Sequence, residues 1–374
     1  MKTLLVSLAG IRFDRGMGEY IKLFLPYLIN EFKSNLILIS NTNIPDSILK
    51  LVNDNDIKFL KFQLSYPILE QVFVPLIIKT NRVKIAYFPA NTFPLIKAKD
   101  VKYIVTIHDL IFLRKDINPS RLYQKIGKFY RAFIIKNGIK NIDTIVASSY
   151  KTLMDIKTIF NISLDDSNVI YNPFYFEING RNKKIDNSIL SLLHLEPGNY
   201  LYTISGTSDN KNLEFVLRAF AKLRLVYPYL KLVISGIFKI RDVLQYKPIL
   251  DSLYIKDSVV FTPYITEEQK RALIRNCKAF LYLSKDEGFG RPIIEALIEN
   301  AVVIASDIPI FREIGDKYIF YVSIDNDNCL VDFFQNFHPK NFNSEEVINY
   351  LKSKFDVNVL AMKLIQKIYI TMKS

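Results

Sequence analysis

Apolar residues run along this chain in short continuous blocks rather than in strict alternation. Thr3–Leu8, Leu36–Ile39, Ile85–Phe88, Tyr103–Ile107 and Thr144–Ala147 form one series. Tyr200–Ser205, Lys231–Ser235, Val259–Phe261, Ala279–Leu283, Val302–Ala305 and Ile319–Tyr321 form a second. Each block is short, rich in Ile, Val, Leu and aromatic residues, and bounded by Gly, Asn, Asp or Pro, as a strand covered on both faces would be. Amphipathic stretches lie between the blocks. Asn212–Val226 places apolar residues at 213, 216, 217, 220 and 223, which predicts a helix. This alternation argues for an α/β fold with two parallel, doubly wound sheets. The series breaks between Phe174 and Asn199, where a polar, Asn- and Gly-containing run reads as an interdomain connection. The expected domains are 1–175 and 199–356, joined by a linker over 176–198, with a final amphipathic helix over 357–374.

Composition changes this picture little. With 49% apolar and 23% charged residues the chain is ordinary for a globular protein, so disorder and fibrous structure are excluded. Its 2 cysteines cannot build a disulfide framework or a zinc cluster and fit a reducing compartment. No run approaches the ~18 consecutive apolar residues of a spanning helix. The opening MKTLLVSLAG is followed at once by Arg12 and Asp14, so it reads as a first buried strand rather than a signal peptide. The expected location is the cytoplasm, with a peripheral position on the inner face of the membrane.

Charge is more informative. The formal net charge is +13, and residues 1–180 hold 24 basic against 15 acidic residues. A basic first half suits anionic partners. No nucleic-acid arm or RNA-binding signature is present, so nucleic acid is not expected as a partner. The basic amphipathic stretch Arg121–Lys140 could meet anionic lipid: Arg121, Lys125, Lys128, Lys136 and Lys140 fall on one half of a helix. Ile126, Phe129, Tyr130, Phe133 and Ile134 fall mostly on the other, where packing is expected.

In open parallel sheets, ligands bind beyond the carboxyl ends of strands. The loop after Ala279–Leu283 reads Ser284-Lys-Asp-Glu287-Gly288-Phe289-Gly290-Arg291-Pro292, followed by Glu295. Its glycines allow close backbone approach, and Pro292 suits the start of a helix whose N-terminus favours anions. Glu287 and Glu295 could each accept hydrogen bonds from vicinal hydroxyls, or serve only as a cap and a solvated helix residue.

These residues resemble the signature of glycosyltransferase family 4, two glutamates flanking seven residues around Gly-Phe-Gly. Further segments match in order: Gly16-Met-Gly18; Thr106-Ile-His108-Asp109-Leu110, similar to mannosyltransferase-type members; Ala147-Ser148-Ser149; Asn172-Pro173; Ser205-Gly206-Thr207 with Lys211-Asn212; and Val303 to Pro309. The resemblance implies a GT-B fold, two Rossmann-like domains facing a central cleft, and retaining transfer from a nucleotide-sugar donor to a glycan or lipid-linked acceptor, with GDP-mannose the favoured donor. It implies that Lys211 neutralises the diphosphate, Glu295 binds the ribose and Glu287 the sugar hydroxyls. Gly206, Gly288, Phe289 and Gly290 would line the donor, His108 would sit beside the transferred sugar, and Gly16 and Gly18 would let the first loop close. Neither a cofactor nor a metal is implied. Two departures stand out. No Arg stands shortly before Lys211, so either Lys211 works alone or Arg291 supplies the second charge, and Leu283 replaces the usual Pro. The rival readings are a sugar-nucleotide epimerase on the same architecture and a basic nucleic-acid-binding protein. Asp54-Asn-Asp56 and Asp325-Asn-Asp327 imitate a metal motif but lie among turn residues.

Overall fold

The computed structural model describes residues 3–13, 16–114, 122–176, 182–336 and 342–374. Asp14, Arg121 and His338 lie outside the described residues. The chain divides into two compact units, one of the described residues up to 114 with 122–175 and 353–374, the other of the described residues from 176 to 352.

The first unit holds strands β1 (Leu4–Leu8), β2 (Leu36–Ser40), β3 (Lys58–Lys61), β4 (Ile85–Phe88), β5 (Lys102–Ile107) and β6 (Thr144–Ala147), in sheet order β3-β2-β1-β4-β5-β6. The second holds β7 (Tyr200–Ile204), β8 (Lys231–Ser235), β9 (Val259–Phe261), β10 (Ala279–Tyr282), β11 (Val303–Ser306) and β12 (Phe320–Val322), in order β12-β11-β10-β7-β8-β9. Every pairing is parallel, for example Leu201 with Leu232 and with Ala279. In each unit the strand order reverses between the first strand and the fourth. That reversal is the topological switch point, where loops diverge and leave a crevice. Residues 205–212 and 283–290 are those loops in the second unit.

Continuous burial explains the strands: β1, β2, β4 and β10 are buried along their whole length. The strand β3 was absent from the sequence reading, because its exposed Lys58 and Lys61 mark an edge and hide its short apolar middle. Helix Leu213–Val226 forms as expected, with Leu213, Val216, Leu217, Phe220 and Leu223 buried. The C-terminal helix Val357–Lys373 buries Leu360, Leu364 and Ile368 in the same core as Leu25, Leu28 and Phe32 of helix Gly16–Phe32.

Two segments show more detail than the sequence reading gave them. Within 176–198, which is not all loop, Lys183–Leu192 is a helix of the second unit. Its Ile189 and Leu190 are buried, and buried Asp186 pairs with Arg275 Nη1 at 2.8 Å. The apolar side of helix Leu122–Gly138 is not packed as a whole either. Ile134 and Ile135 are buried, but Ile126, Phe129 and Phe133 are exposed.

Candidate active site

The second unit's switch point collects most of the expected residues. The loop after β7 ends in a 3-10 turn, Asp209–Lys211, and Asn212 adopts φ 55° before helix Leu213–Val226. Three hydrogen bonds stitch this loop to the one after β10. Lys285 N–H donates to the Asn210 carbonyl at 2.8 Å. Asn210 Nδ2 donates to the Asp286 carbonyl at 3.1 Å, and Asn212 Nδ2 to the Leu283 carbonyl at 3.1 Å. The two loops therefore present their side chains as one surface.

On that surface Lys211 Nζ donates to Glu287 Oε1 at 2.7 Å and to the Tyr282 hydroxyl at 2.8 Å. The same Glu287 oxygen accepts from Ser284 Oγ at 2.8 Å. Burial opposes the Lys211 charge, but the Glu287 carboxylate and the Tyr282 oxygen outweigh it and raise the ammonium's pKa. Burial raises the Tyr282 hydroxyl, and the Glu287 charge adds to the effect. Lys211 is thus a fixed cation held by a carboxylate and a neutral phenol. Glu287 is therefore buried and ion-paired rather than solvated.

Gly290 caps helix Arg291–Ile298 at φ 94°, a left-handed conformation that disfavours other residues. A Cβ there would also meet the Phe311 ring at 3.1 Å. Phe289 is buried beside it. Further along the helix, Glu295 Oε2 meets Lys270 Nζ at 2.8 Å. Burial alone would raise the Glu295 pKa, yet the charges of Lys270 and Arg291 hold it below the ordinary carboxylate value. Arg291 thus acts on Glu295 across a turn of its own helix. Gly206 has no atom within 4 Å of a Cβ built on it, so the fold itself leaves that position open.

Sequence reasoning missed Lys270 and Tyr282. Lys270 lies on helix Glu267–Asn276, which a Thr266–Gln269 capping box starts after β9. Its only local signal is Glu267 three residues earlier, at 2.6 Å. Also missed were Phe238 and Tyr264, exposed rings 5.9 Å apart in the segments following β8 and β9. A cavity of about 430 Å³ is lined by Thr207, Ser208 and Asp209 with Arg218 and Lys285. It borders the same loop, although Lys211 and Glu287 do not line it.

His108, Gly16 and Gly18 belong to the first unit. His108 follows β5, and its ring lies edge-on to Tyr20 at 4.7 Å. Its Nε2 is 2.9 Å from the Pro89 carbonyl, so the proton sits on Nε2 and Nδ1 is left as an acceptor. Burial lowers its pKa from 6.5 to about 4, despite the upward pull of that carbonyl, so the ring is neutral at pH 7. The His108 N–H donates to Asn91 Oδ1 at 2.7 Å, and its carbonyl accepts from Ser148 Oγ at 2.8 Å. Gly16 opens helix Gly16–Phe32, with nothing within 4 Å of a built Cβ. Gly18 is different. A Cβ there would lie 2.1 Å from the Arg12 carbonyl oxygen, so the preceding loop itself requires a glycine.

The two triplets that imitate a metal motif are accounted for locally. Asp325 accepts from Ser323 Oγ and Asp327 pairs with Arg218 Nε at 3.0 Å, while Asp56 has φ 50° in a turn. Among the described residues, no group of three or more His, Cys, Asp or Glu could hold a metal ion.

Residues 186–328, which include the paired loops and both glutamates, match the family described as glycosyl transferases group 1. This segment resembles the group 1 glycosyltransferases. The chain is 26% identical over 253 residues to the O-antigen chain mannosyltransferase RfbU of Salmonella typhimurium, covering 67% of this chain and 64% of that protein. It is 25% identical over 217 residues to the N-acetylgalactosamine-N,N'-diacetylbacillosaminyl-diphospho-undecaprenol 4-alpha-N-acetylgalactosaminyltransferase of Campylobacter jejuni, covering 57% of this chain and 56% of that protein. The matched region thus spans somewhat less than two thirds of either relative. A glycosyltransferase of Rickettsia africae has the same GT-B fold, with TM-score 0.71, 16% identity, and coverage of 100% and 99% of the two chains. Anabaena HepE, solved with UDP and glucose, gives TM-score 0.70 at 13% identity, covering 99% and 100%. No helix among the described residues of this chain is long and apolar enough to cross a membrane.

Proposed function

We propose that this chain is a group 1 glycosyltransferase that moves a sugar from a nucleoside-diphosphate donor to a hydroxyl of a glycan or lipid-linked acceptor, with retention and without a metal. The observation that carries the reading is the Lys211–Glu287 pair at the switch point, with ionised Glu295 on the helix that follows. A cation and two carboxylates in these places suit a diphosphate flanked by two sets of vicinal hydroxyls. The diphosphate takes Lys211 as its counter-ion, with Arg291 supplying the second charge. Glu295 accepts from the ribose and Glu287 from the transferred sugar. The bond from the anomeric carbon to the diphosphate oxygen breaks while fixed positive charge stabilises the leaving group. The acceptor oxygen bonds to the same face of that carbon, and its proton passes to the departing phosphate. Neutral His108 offers Nδ1 as an acceptor for a sugar hydroxyl. The named mannosyltransferase relative makes GDP-mannose the first donor to test.

A thermal-shift panel of GDP-, UDP- and dTDP-sugars tests this reading. A donor at ~100 times its dissociation constant adds about 2.7 kcal/mol of stability. One nucleotide class should raise the melting temperature, and Lys211→Ala should abolish the shift. No shift with any donor contradicts the proposal.

A further inference from the structure

Helix Leu122–Gly138 contains no acidic residue, while Lys125, Lys128, Arg131 and Lys136 give it four positive charges. Its outer stripe is apolar: Ile126 is 61% exposed, Phe129 74% and Phe133 49%. A second stripe lies on the helical run Tyr66–Ile68, Leu69–Phe73 and Val74–Thr80, where Ile68, Val72 and Leu76 are each about half exposed at a spacing of four. Ile96, 81% exposed, lies on a third segment.

Buried and half-buried contacts tie these segments together. The Tyr130 hydroxyl donates to Glu70 Oε1 at 2.7 Å, and Gln71 Nε2 donates to the Tyr130 oxygen at 2.9 Å and to the Phe93 carbonyl at 3.0 Å. Leu95 N–H donates to Gln71 Oε1 at 3.0 Å. One glutamine side chain therefore joins the two helical segments to the loop before Ile96. Single exposed apolar residues need no explanation, but seven large ones on three adjoining segments do.

The surrounding charge indicates what covers them. Lys79, Lys125 and Lys136 are exposed on the same two helical segments, and exposed Lys99 follows Ile96 three residues on, next to exposed Asp100. The one carboxylate on the two helical segments, Glu70, is buried and hydrogen-bonded. A second copy of the chain would bring lysine against lysine, whereas an anionic surface complements the face. We propose that this face docks on an anionic lipid bilayer. Phe129 and its apolar neighbours enter the headgroup region, and the lysines pair with lipid phosphates. The basic half of the helix is thus a rim around an apolar centre, and both parts are needed. This inference stands apart from the transfer reading, since vesicle binding requires neither donor nor turnover.

The full chain is floated with phosphatidylcholine vesicles, with or without about a third phosphatidylglycerol. It should partition at least ~10-fold more strongly onto the anionic vesicles. Ile126→Ser/Phe129→Ser/Phe133→Ser and, separately, Lys125→Glu/Lys136→Glu should each lose that preference, with thermal shifts by donor retained. The chain has no tryptophan, so Phe129→Trp supplies a single reporter that leaves the surface apolar. Its emission should move to the blue with anionic vesicles and be quenched by brominated lipid. The proposal is overturned by an unshifted Phe129→Trp emission, by undiminished binding of the triple serine variant, or by a wild-type dimer that this variant converts to monomer.

Discussion

Replacing each glutamate by glutamine separates the two halves of the donor. Glu287 is bound to Lys211 at 2.7 Å, and the Lys211 side chain retains about a quarter of its exposure. At an effective dielectric near 20, the bare attraction across that distance is roughly 6 kcal/mol. Most of it offsets desolvation, leaving a net ~1.5–3 kcal/mol for a charge-assisted hydrogen bond. An incoming diphosphate must compete with Glu287 for Lys211. Glu287→Gln keeps the shape but removes the competing charge, so nucleoside diphosphate should bind as tightly as before or up to about tenfold more tightly. Turnover should nevertheless fall by about one to two decades, because contacts to the sugar that strengthen as it flattens act on the transition state. Glu295→Gln removes the acceptor assigned to the ribose, so nucleoside diphosphate and intact donor should both weaken by about one to two decades. Calorimetric titration with nucleotide alone, beside turnover with donor, measures both quantities. If Glu287→Gln weakens nucleotide binding as much as Glu295→Gln does, the division of roles is wrong.

Three further outcomes follow from the first unit. Burial raises the Glu70 pKa from 4.5 to about 7, so its contribution to stability is complete below 4.5 and is lost as pH rises through 7; Glu70→Gln should flatten the melting temperature's pH dependence in that window, and an unchanged slope refutes it. His108 has the opposite sign: with its pKa lowered from 6.5 to about 4, its contribution is present above 6.5 and lost as pH falls through 4. Its ring NMR signals, assigned by their loss in His108→Gln, should stay fixed from neutral pH down to about 5, and titration near 6.5 would show a solvated ring. Gly18→Ala should destabilise by at least ~1–3 kcal/mol because backbone, not a flexible side chain, blocks its Cβ, whereas Gly16→Ala should stay within ~1 kcal/mol; equal melting temperatures contradict the loop packing.

What the chain alone revealed follows from how local each signal is. Buried parallel strands advertise themselves through continuous apolar runs, so eleven of the twelve strands among the described residues were legible, with ends shifted by a residue or two. β3 was not, because an edge strand closed by two lysines resembles a loop. Helix Lys183–Leu192 was hidden for a related reason, since its buried Asp186 depends on Arg275, which is distant in sequence. In the site, Lys211 and Glu287 belong to recognisable loops and Glu295 to the helix that follows one of them. Lys270 and Tyr282 gain meaning only when β7, β9 and β10 bring their connections together. Helix Leu122–Gly138 shows the converse failure. Its periodicity indicated an apolar side, but only the three-dimensional packing showed that Ile126, Phe129 and Phe133 are exposed.

The central claim is the proposed one, that this chain transfers a sugar with retention, using its own cations at the leaving diphosphate. The most direct test is NMR of the reaction in EDTA, with the stabilising donor and a hydroxyl-bearing acceptor. The account predicts free nucleoside diphosphate and a new glycoside with the donor's anomeric configuration. An inverted glycoside, an absolute requirement for added magnesium or manganese, or an altered sugar still joined to its nucleotide would contradict it.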